Sequence, residues 1–157
     1  MKKFIGMNQY FNYMENESVR ACAQESMLKK QRRKVIEEKG YDAPELALID
    51  EMLNSIEDNF STGEWKAMNA WQNTVRKNNE AEVLVMDDFL WEEEIAGFVY
   101  ALRMAEQKHF YFTNTSTAVM ENIHGFIAAG CKMVGTVSWE EKDRFHTEQV
   151  LGLEFEL

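Results

Sequence analysis

Glu82-Val83-Leu84-Val85-Met86-Asp87-Asp88-Phe89-Leu90-Trp91-Glu92-Glu93-Glu94-Ile95, residues 82–95, reads as a strand that runs into a helix. The first five residues are a short apolar run rich in β-branched side chains, which suits a buried strand. Ile95, Phe98, Val99 and Leu102 then recur at three- and four-residue spacing, the period of an amphipathic helix. Glu92, Glu93 and Glu94 fall in its first turn, where carboxylates meet the positive end of the helix dipole.

The rest of the second half repeats the pattern. His109-Phe110-Tyr111-Phe112-Thr113 is aromatic on both faces and is expected to be a central strand. Thr113-Asn114-Thr115-Ser116-Thr117 offers several N-caps to a helix lined by Val119, Met120, Ile123, Phe126 and Ile127, and Gly130 can stop that helix. Cys131 to Trp139 and Thr147 to Leu157 read as two antiparallel strands around a polar turn from Glu140 to His146. In the last strand Leu151, Leu153, Phe155 and Leu157 alternate with Gly152, Glu154 and Glu156, which predicts a position near an edge. The fold class is therefore α+β: N-terminal helices packed on a small mixed four-stranded sheet, with order β-α-β-α-β-β along the chain and right-handed crossovers between the first strands.

The first half is helical. Phe4, Ile5, Met7, Tyr10, Phe11, Tyr13 and Met14 form an aromatic opening segment with no assigned element. Ser18 is the expected cap of a helix ending at Lys39-Gly40, with a basic run at Lys29, Lys30, Arg32, Arg33 and Lys34. Asp42-Ala43-Pro44-Glu45 opens a second helix whose Leu46, Ile49, Leu53, Ile56 and Phe60 form a stripe suited to a helical partner. Ser61 or Thr62 caps a third, containing Trp65, Met68, Trp71 and Val75 and ending at Asn78-Asn79. A chain of 157 residues fits one domain over 1–157, with a helical part at 1–79 and an acidic α/β part at 80–157.

Charge is unevenly spread. Residues 1–79 hold twelve Lys/Arg and twelve Asp/Glu; residues 80–157 hold five and fifteen, which is the whole net charge of −10. Asp87, Asp88, Glu92, Glu93, Glu94, Glu140, Glu141 and Asp143 are the candidate partner-binding residues. Such a surface repels nucleic-acid phosphates and speeds encounter with a basic protein. The interleaved aromatics of a single-strand platform are missing from the Lys29–Lys34 run, which reads as a solvated helix face.

Chemistry-bearing motifs are sparse. Asn114, Thr115, Ser116 and Thr117, at the carboxyl end of a strand beside Asp87 and Asp88, are the candidate ligand-binding residues for a small anion or nucleotide. There is no Gly-rich phosphate loop. His109, His124 and His146 show no metal spacing, although Glu121 and His124 share a helix face. Cys22 and Cys131 are isolated and read as buried free thiols in a reducing compartment. No apolar run approaches the roughly 20 residues of a membrane helix, and Asn8 breaks the resemblance of the N-terminus to a secretory signal, so the expected location is the cytoplasm. Neither a catalytic set nor a cofactor is expected.

Asp88-Phe89-Leu90-Trp91-Glu92, Phe110-Tyr111-Phe112, Ser116-Thr117-Ala118-Val119-Met120-Glu121, His124 and Gly130-Cys131-Lys132-Met133-Val134-Gly135 together carry a resemblance. The second half resembles the C-terminal domain of small uncharacterised proteins carried by plasmids, phages and conjugative elements of gut Firmicutes. That resemblance implies a cytoplasmic accessory protein of a mobile element, and such elements also encode small acidic inhibitors of host defence, anti-CRISPR proteins among them. The expected function is a non-enzymatic protein-interaction module, in its concrete form an anti-CRISPR-like inhibitor of a host defence nuclease that binds a basic surface. The alternative is a small-ligand or nucleotide-binding α/β domain using the anion site at the strand ends. A homo-oligomer is compatible with either.

Overall fold

The computed structural model describes residues 6–56, 60–77, 83–142 and 144–157. Its elements in chain order are α1 (Gly6–Lys39), α2 (Glu45–Asn54), α3 (Thr62–Lys77), β1 (Leu84–Met86), α4 (Glu92–Met104), β2 (His109–Phe112), α5 (Val119–Ala128), β3 (Lys132–Lys142) and β4 (Thr147–Glu156). The chain is α+β, with the expected strand and helix order. The sheet order is β1-β2-β4-β3. β1 and β2 pair in parallel, and β4 pairs antiparallel with both β2 and β3.

That order corrects one expectation. β4, expected near an edge, lies one strand in from it and is paired on both sides, between β2 and the edge strand β3. Alternation along a strand reports which face is covered, not how many neighbours the strand has. The crossover through α5 carries the chain past β2 and leaves a slot one strand wide, which β4 fills on its way back along the hairpin. β3 is the edge, and it is the more exposed of the pair, with a bulge between Met133 and Gly135.

Phe98 of α4, Phe126 of α5, Phe110 and Phe112 of β2 and Phe155 of β4 form the centre of the core, all at 2% exposure or less. Phe110 stacks on Phe155 with centroids 5.3 Å apart, and Phe126 sets an edge on Phe110, Phe112 and Phe155 at 5.0–5.2 Å. Each such side chain contributes about 1.5–3 kcal/mol by burial, before the smaller gain from aromatic geometry. On the opposite face Tyr111 stacks on Trp139 across Gly152, where an added Cβ would come within 3.3 Å of the indole.

α3 does two jobs. It crosses α4 closely: a Cβ at Gly63 would collide with the Glu94 carbonyl and lie 2.7 Å from the Phe98 nitrogen. It also closes the outer edge of β1. The Val85 N–H donates to the buried Thr74 hydroxyl at 3.0 Å, and that hydroxyl donates to the Ala70 carbonyl at 2.7 Å. An edge strand is thereby protected from pairing with another chain. Of the two expected caps, Ser61 serves, in a capping box: the Glu64 N–H donates to the Ser61 hydroxyl, and the Ser61 N–H to the Glu64 carboxylate, both at 3.3 Å.

α1 begins at Gly6 rather than Ser18. Met7, Tyr10, Phe11 and Met14 are buried at helical spacing, so from Met7 to Met14 the aromatic opening segment is the first part of the helix, while Phe4 and Ile5 lie outside the described residues. Phe11 stacks on Trp71 at 5.2 Å, and the Tyr10 hydroxyl donates to Glu64 at 3.1 Å. α2 stops at Asn54, so Ile56 and Phe60 of the expected stripe lie beyond it. The expected strand start at Glu82 and helix end at Asn78-Asn79 lie outside the described residues. Two compact units result: α3 to β4 with the first turns of α1, and the remainder of α1 with α2.

Candidate interaction site

Between β1 and α4 the chain crosses the carboxyl end of the sheet as a strap, Asp87 to Trp91. A strap of this kind has backbone groups with no ladder or helix to join, and buried ones must find partners. Here side chains supply them. The Asn114 amide donates to the Asp87 carbonyl at 3.1 Å. The Phe89 N–H donates to the Asp88 carboxylate at 2.8 Å. The Lys66 ammonium donates to the Phe89 carbonyl at 2.9 Å and sits 4.8 Å from the centroid of the Phe89 ring. Asn122, 1% exposed, takes Leu90 from both sides: the Leu90 N–H donates to its Oδ1 at 2.8 Å, and its Nδ2 donates to the Leu90 carbonyl at 2.6 Å. The Trp91 N–H donates to the Glu94 carboxylate at 2.9 Å.

The centre of the clamp is an ion pair. Lys66 of α3 and Glu94 of α4 meet at 2.9 Å with side-chain exposures of 19% and 8%. Glu94 also neutralises orphan N–H groups at the start of α4, as a carboxylate there should. Glu94 therefore departs from its expected role: it faces inward and is not part of an accessible acidic surface.

The other expected acids divide. Asp87, Asp88, Glu92, Glu93 and Glu140 are exposed. Asp88 and Asp87 lie 3.9 Å from Lys66 and Lys77, the outer limit of an ion pair. Glu141 is partly covered, 3.6 Å from Lys77 and 3.3 Å from the Trp139 indole N–H that donates to it. Asp143 lies outside the described residues. Trp91, 59% exposed, stands on the strap among these acids, its ring edge-on to Phe89 at 5.0 Å. Asn122 joins the strap to the first turn of α5, which exposes Met120 and Glu121. Composition alone did not single out Trp91, Lys66 or Asn122 as parts of one site. The fixed spacing of Trp91 and Glu94, a helix start and its third residue, was the one available signal.

The segment expected to bind a ligand does not form a cradle. α5 starts at Val119 with Ala118 as its cap residue and no side-chain cap bond. Asn114 Oδ1 accepts the Ser116 N–H at 2.9 Å, and the Ser116 hydroxyl faces the Ala118 N–H at 3.4 Å. The polar groups of Asn114 and Ser116 are thus turned onto the chain itself, while Thr115 and Thr117 point outward as exposed residues. Short Asn and Ser side chains compete for local backbone donors, and here they form turns instead of caps.

Among the described residues no group of three or more His, Cys, Asp or Glu is placed to hold a metal ion. His109 Nδ1 is 3.3 Å from Glu154 without forming a hydrogen bond. Cys131 is buried, and burial pushes its thiol above the usual range, with the nearby Arg103 opposing. Cys22, expected to be buried, is exposed on α1. The basic run is partly paired: Arg32 with Asp50 at 2.8 Å and Lys34 with Glu38 at 3.9 Å. No helix among the described residues is long and apolar enough to cross a membrane.

A family profile described as "Domain of unknown function (DUF7698)" matches residues 66–156. That is more than half of the chain. The chain belongs to the DUF7698 family. Within it, the DUF7698 match starts at Lys66 and spans every residue of the clamp, from Lys66 through the strap and Glu94 to Asn114 and Asn122. No curated protein and no solved structure matches the chain.

Proposed function

We propose that this DUF7698 protein is a protein-interaction module that binds a basic partner through the strap and the start of α4. One observation carries the reading. Side chains from three helices and a loop hold the strap, and Trp91 projects from it among Asp87, Asp88, Glu92 and Glu93, all exposed. An exposed tryptophan on a fixed backbone suits an interface anchor, since little side-chain or loop entropy is lost on binding. The acids around it select for lysine and arginine and raise the association rate. In its concrete form the reading is a mobile-element-encoded, anti-CRISPR-like inhibitor that covers the nucleic-acid groove of a host defence nuclease, supported by the concentration of net charge in residues 80–157.

The test is affinity capture from nuclease-treated bacterial lysate at low and high salt. Three baits are used: the wild-type chain, a charge reversal of Asp87, Asp88, Glu92 and Glu93 to lysine, and Trp91→Ala. One basic protein held stoichiometrically by the wild type, released by salt and lost with both variants, is the expected result. A partner that ignores both sets of substitutions refutes the assignment of the site, and one retained only by the Trp91 variant refutes the anchor.

A further inference from the structure

The two edges of the sheet are closed differently. At β1 the Thr74 hydroxyl takes the outward Val85 N–H. At β3 no strand pairs with the outer edge among the described residues. One bond fixes which of its backbone groups are free. The Leu157 N–H donates to the Lys108 carbonyl, on the β2 side, at 2.9 Å. Backbone groups along an antiparallel strand point alternately to its two neighbours, so Leu153 and Phe155 face β2 while Gly152, Glu154 and Glu156 face β3. Their partners Val137, Gly135 and Lys132 turn toward β4, which leaves the N–H and C=O of Thr136, Ser138 and Glu140 pointing outward. All three residues are exposed. Natural edge strands avoid pairing by being short, or through proline, lysine or a bulge. β3 is 11 residues long and has no proline, its lysines stand only at its two ends, and its bulge lies near the start.

We infer that a second copy of this chain pairs with this edge, β3 against β3 in antiparallel, about a two-fold axis beside Val137. The order of charges along β3 selects that occupant. Lys132 stands at its start, and Glu140 and Glu141 near its end. An antiparallel copy lays each of these ends on the opposite charge, which a strand of one charge sign cannot do at both. Val137 is the middle residue of the 11, and centring the contact there joins β3 to itself from Lys132 to Glu141. Thr136 of each copy then faces Ser138 of the other, and the two exchange both N–H···O bonds. Trp139 lies over Gly135, in the space of the missing side chain. Val134 is the unmatched residue of the bulge, so beyond it the register slips by one. The slip brings Lys132 opposite Glu141 instead of Lys142. The Glu141 carboxylate, 3.6 Å from Lys77, has lone pairs for a second cation. The axis repeats every contact and closes the assembly at two copies. This edge is separate from the strap, and the inference does not depend on it.

Sedimentation equilibrium of the full chain, from low micromolar to several hundred micromolar, tests it. The measurement is made at about 0.15 M salt, where the charge of −10 on each copy is screened beyond about 8 Å. The wild type is expected to reach a dimer mass. Ser138→Pro removes an outward N–H and no bond to β4, and should raise the dissociation constant about tenfold or more. Cross-linking reads the register, in a Cys22→Ser background. Residues directly opposite on a non-hydrogen-bonded pair have Cβ atoms about 4.5–5.5 Å apart, so Val137→Cys should link two copies under mild oxidation. Glu140→Cys, at a more exposed position but about 20 Å from its counterpart at a rise of about 3.3 Å per residue, should not. A monomer mass at all concentrations overturns the inference. So does a Ser138→Pro variant that is folded by circular dichroism and dimerises like the wild type. If that variant does not fold, the two cysteine variants decide alone: linkage through Glu140→Cys as fast as through Val137→Cys overturns the inference.

Discussion

Glu94→Ala should be among the most damaging single substitutions in the chain, although Glu92 and Glu93 beside it tolerate change. Three losses combine. The Lys66 ammonium, 19% exposed, loses its carboxylate partner at 2.9 Å. The Trp91 N–H loses its acceptor at 2.9 Å. The first turn of α4 loses a carboxylate at its positive end. Removing one partner of a buried ion pair typically costs about 3–5 kcal/mol because the other charge remains buried. Lys66 keeps the Phe89 carbonyl and ring and has Asp88 at 3.9 Å, which places the loss near the lower end, at about 3 kcal/mol. With a urea m-value of ~2 kcal/mol/M, the midpoint falls by about 1.5 M. Urea unfolding followed by tryptophan fluorescence reads this directly. Lys66→Met should cost a similar amount, since it strands Glu94 and the Phe89 carbonyl together. The double variant Lys66→Met with Glu94→Ala should cost less than the two singles added, by about 1 kcal/mol or more, because neither charge is then left alone. A Glu94→Ala loss within about 0.5 kcal/mol of zero, the range of ordinary surface changes, would refute the clamp as a source of stability. Strict additivity in the double variant would refute the pairing.

Three further outcomes test other parts of the structure. Asn122→Leu leaves the Leu90 N–H and carbonyl without partners in the interior, and thermal unfolding should show a loss of about 2–6 kcal/mol, at about 1–3 kcal/mol for each of the two orphaned groups. Glu106 sits at φ 55° just past the end of α4, where the Gln107 N–H donates to the Leu102 carbonyl, so Glu106→Gly should raise stability by ~0.5–1 kcal/mol in the same assay. At mildly alkaline pH a thiol reagent should modify exposed Cys22 well before Cys131, which reacts fully only after denaturation. Burial raises the Cys131 pKa, so the folded state favours its thiol form. The stability this contributes is complete below the ordinary cysteine pKa and fades as pH rises through the raised value.

The sheet was legible because β1 and β2 are short, β-branched or aromatic, and each followed by a helix of clear period, and because β4 alternates cleanly. Gly40 and Gly130 also stop their helices with positive φ as their positions suggest. The strand order was not legible. Nothing in the alternation of Leu151, Leu153 and Phe155 separates a strand with one neighbour from a strand with two, since both show the same covered and open faces. The length of α1 was missed for a different reason. Met7, Tyr10, Phe11 and Met14 do carry helical spacing, but Ser18 offered a competing start, and a serine in mid-helix carries no mark that its cap is unused. The clamp was least legible of all. Lys66, Glu94, Asn114 and Asn122 are spread over α3, α4, a loop and α5, and what unites them is the backbone of a strap that none of them belongs to. Glu94 shows the cost of reading charge without contact. Its neighbours Glu92 and Glu93 are solvated, and one helical step turns it into the interior.

That division has a consequence for how stability and binding separate. The carboxylate at the centre of the clamp, Glu94, is not one of those that surround Trp91; of the outer four, Asp88 alone also holds the strap, by accepting the adjacent Phe89 N–H. Asp87 and Asp88 stand at 3.9 Å from Lys77 and Lys66, and exposed pairs of that kind contribute about 0–1 kcal/mol. Glu92 and Glu93 add only the modest interaction of exposed carboxylates with a helix start, about 0.3–1 kcal/mol each. Reversing all four charges should therefore inactivate the proposed surface in a chain that still folds, with the loss spread over several small terms. Glu94→Ala should do the opposite, lowering stability while leaving the outer charges in place, and it should weaken binding only through the strap's loss of order. A partner whose affinity falls with the four reversals but survives Glu94→Ala well below its melting temperature would read the surface itself. A partner that responds equally to both would be reading the geometry of the strap, with Trp91 as the residue that conveys it.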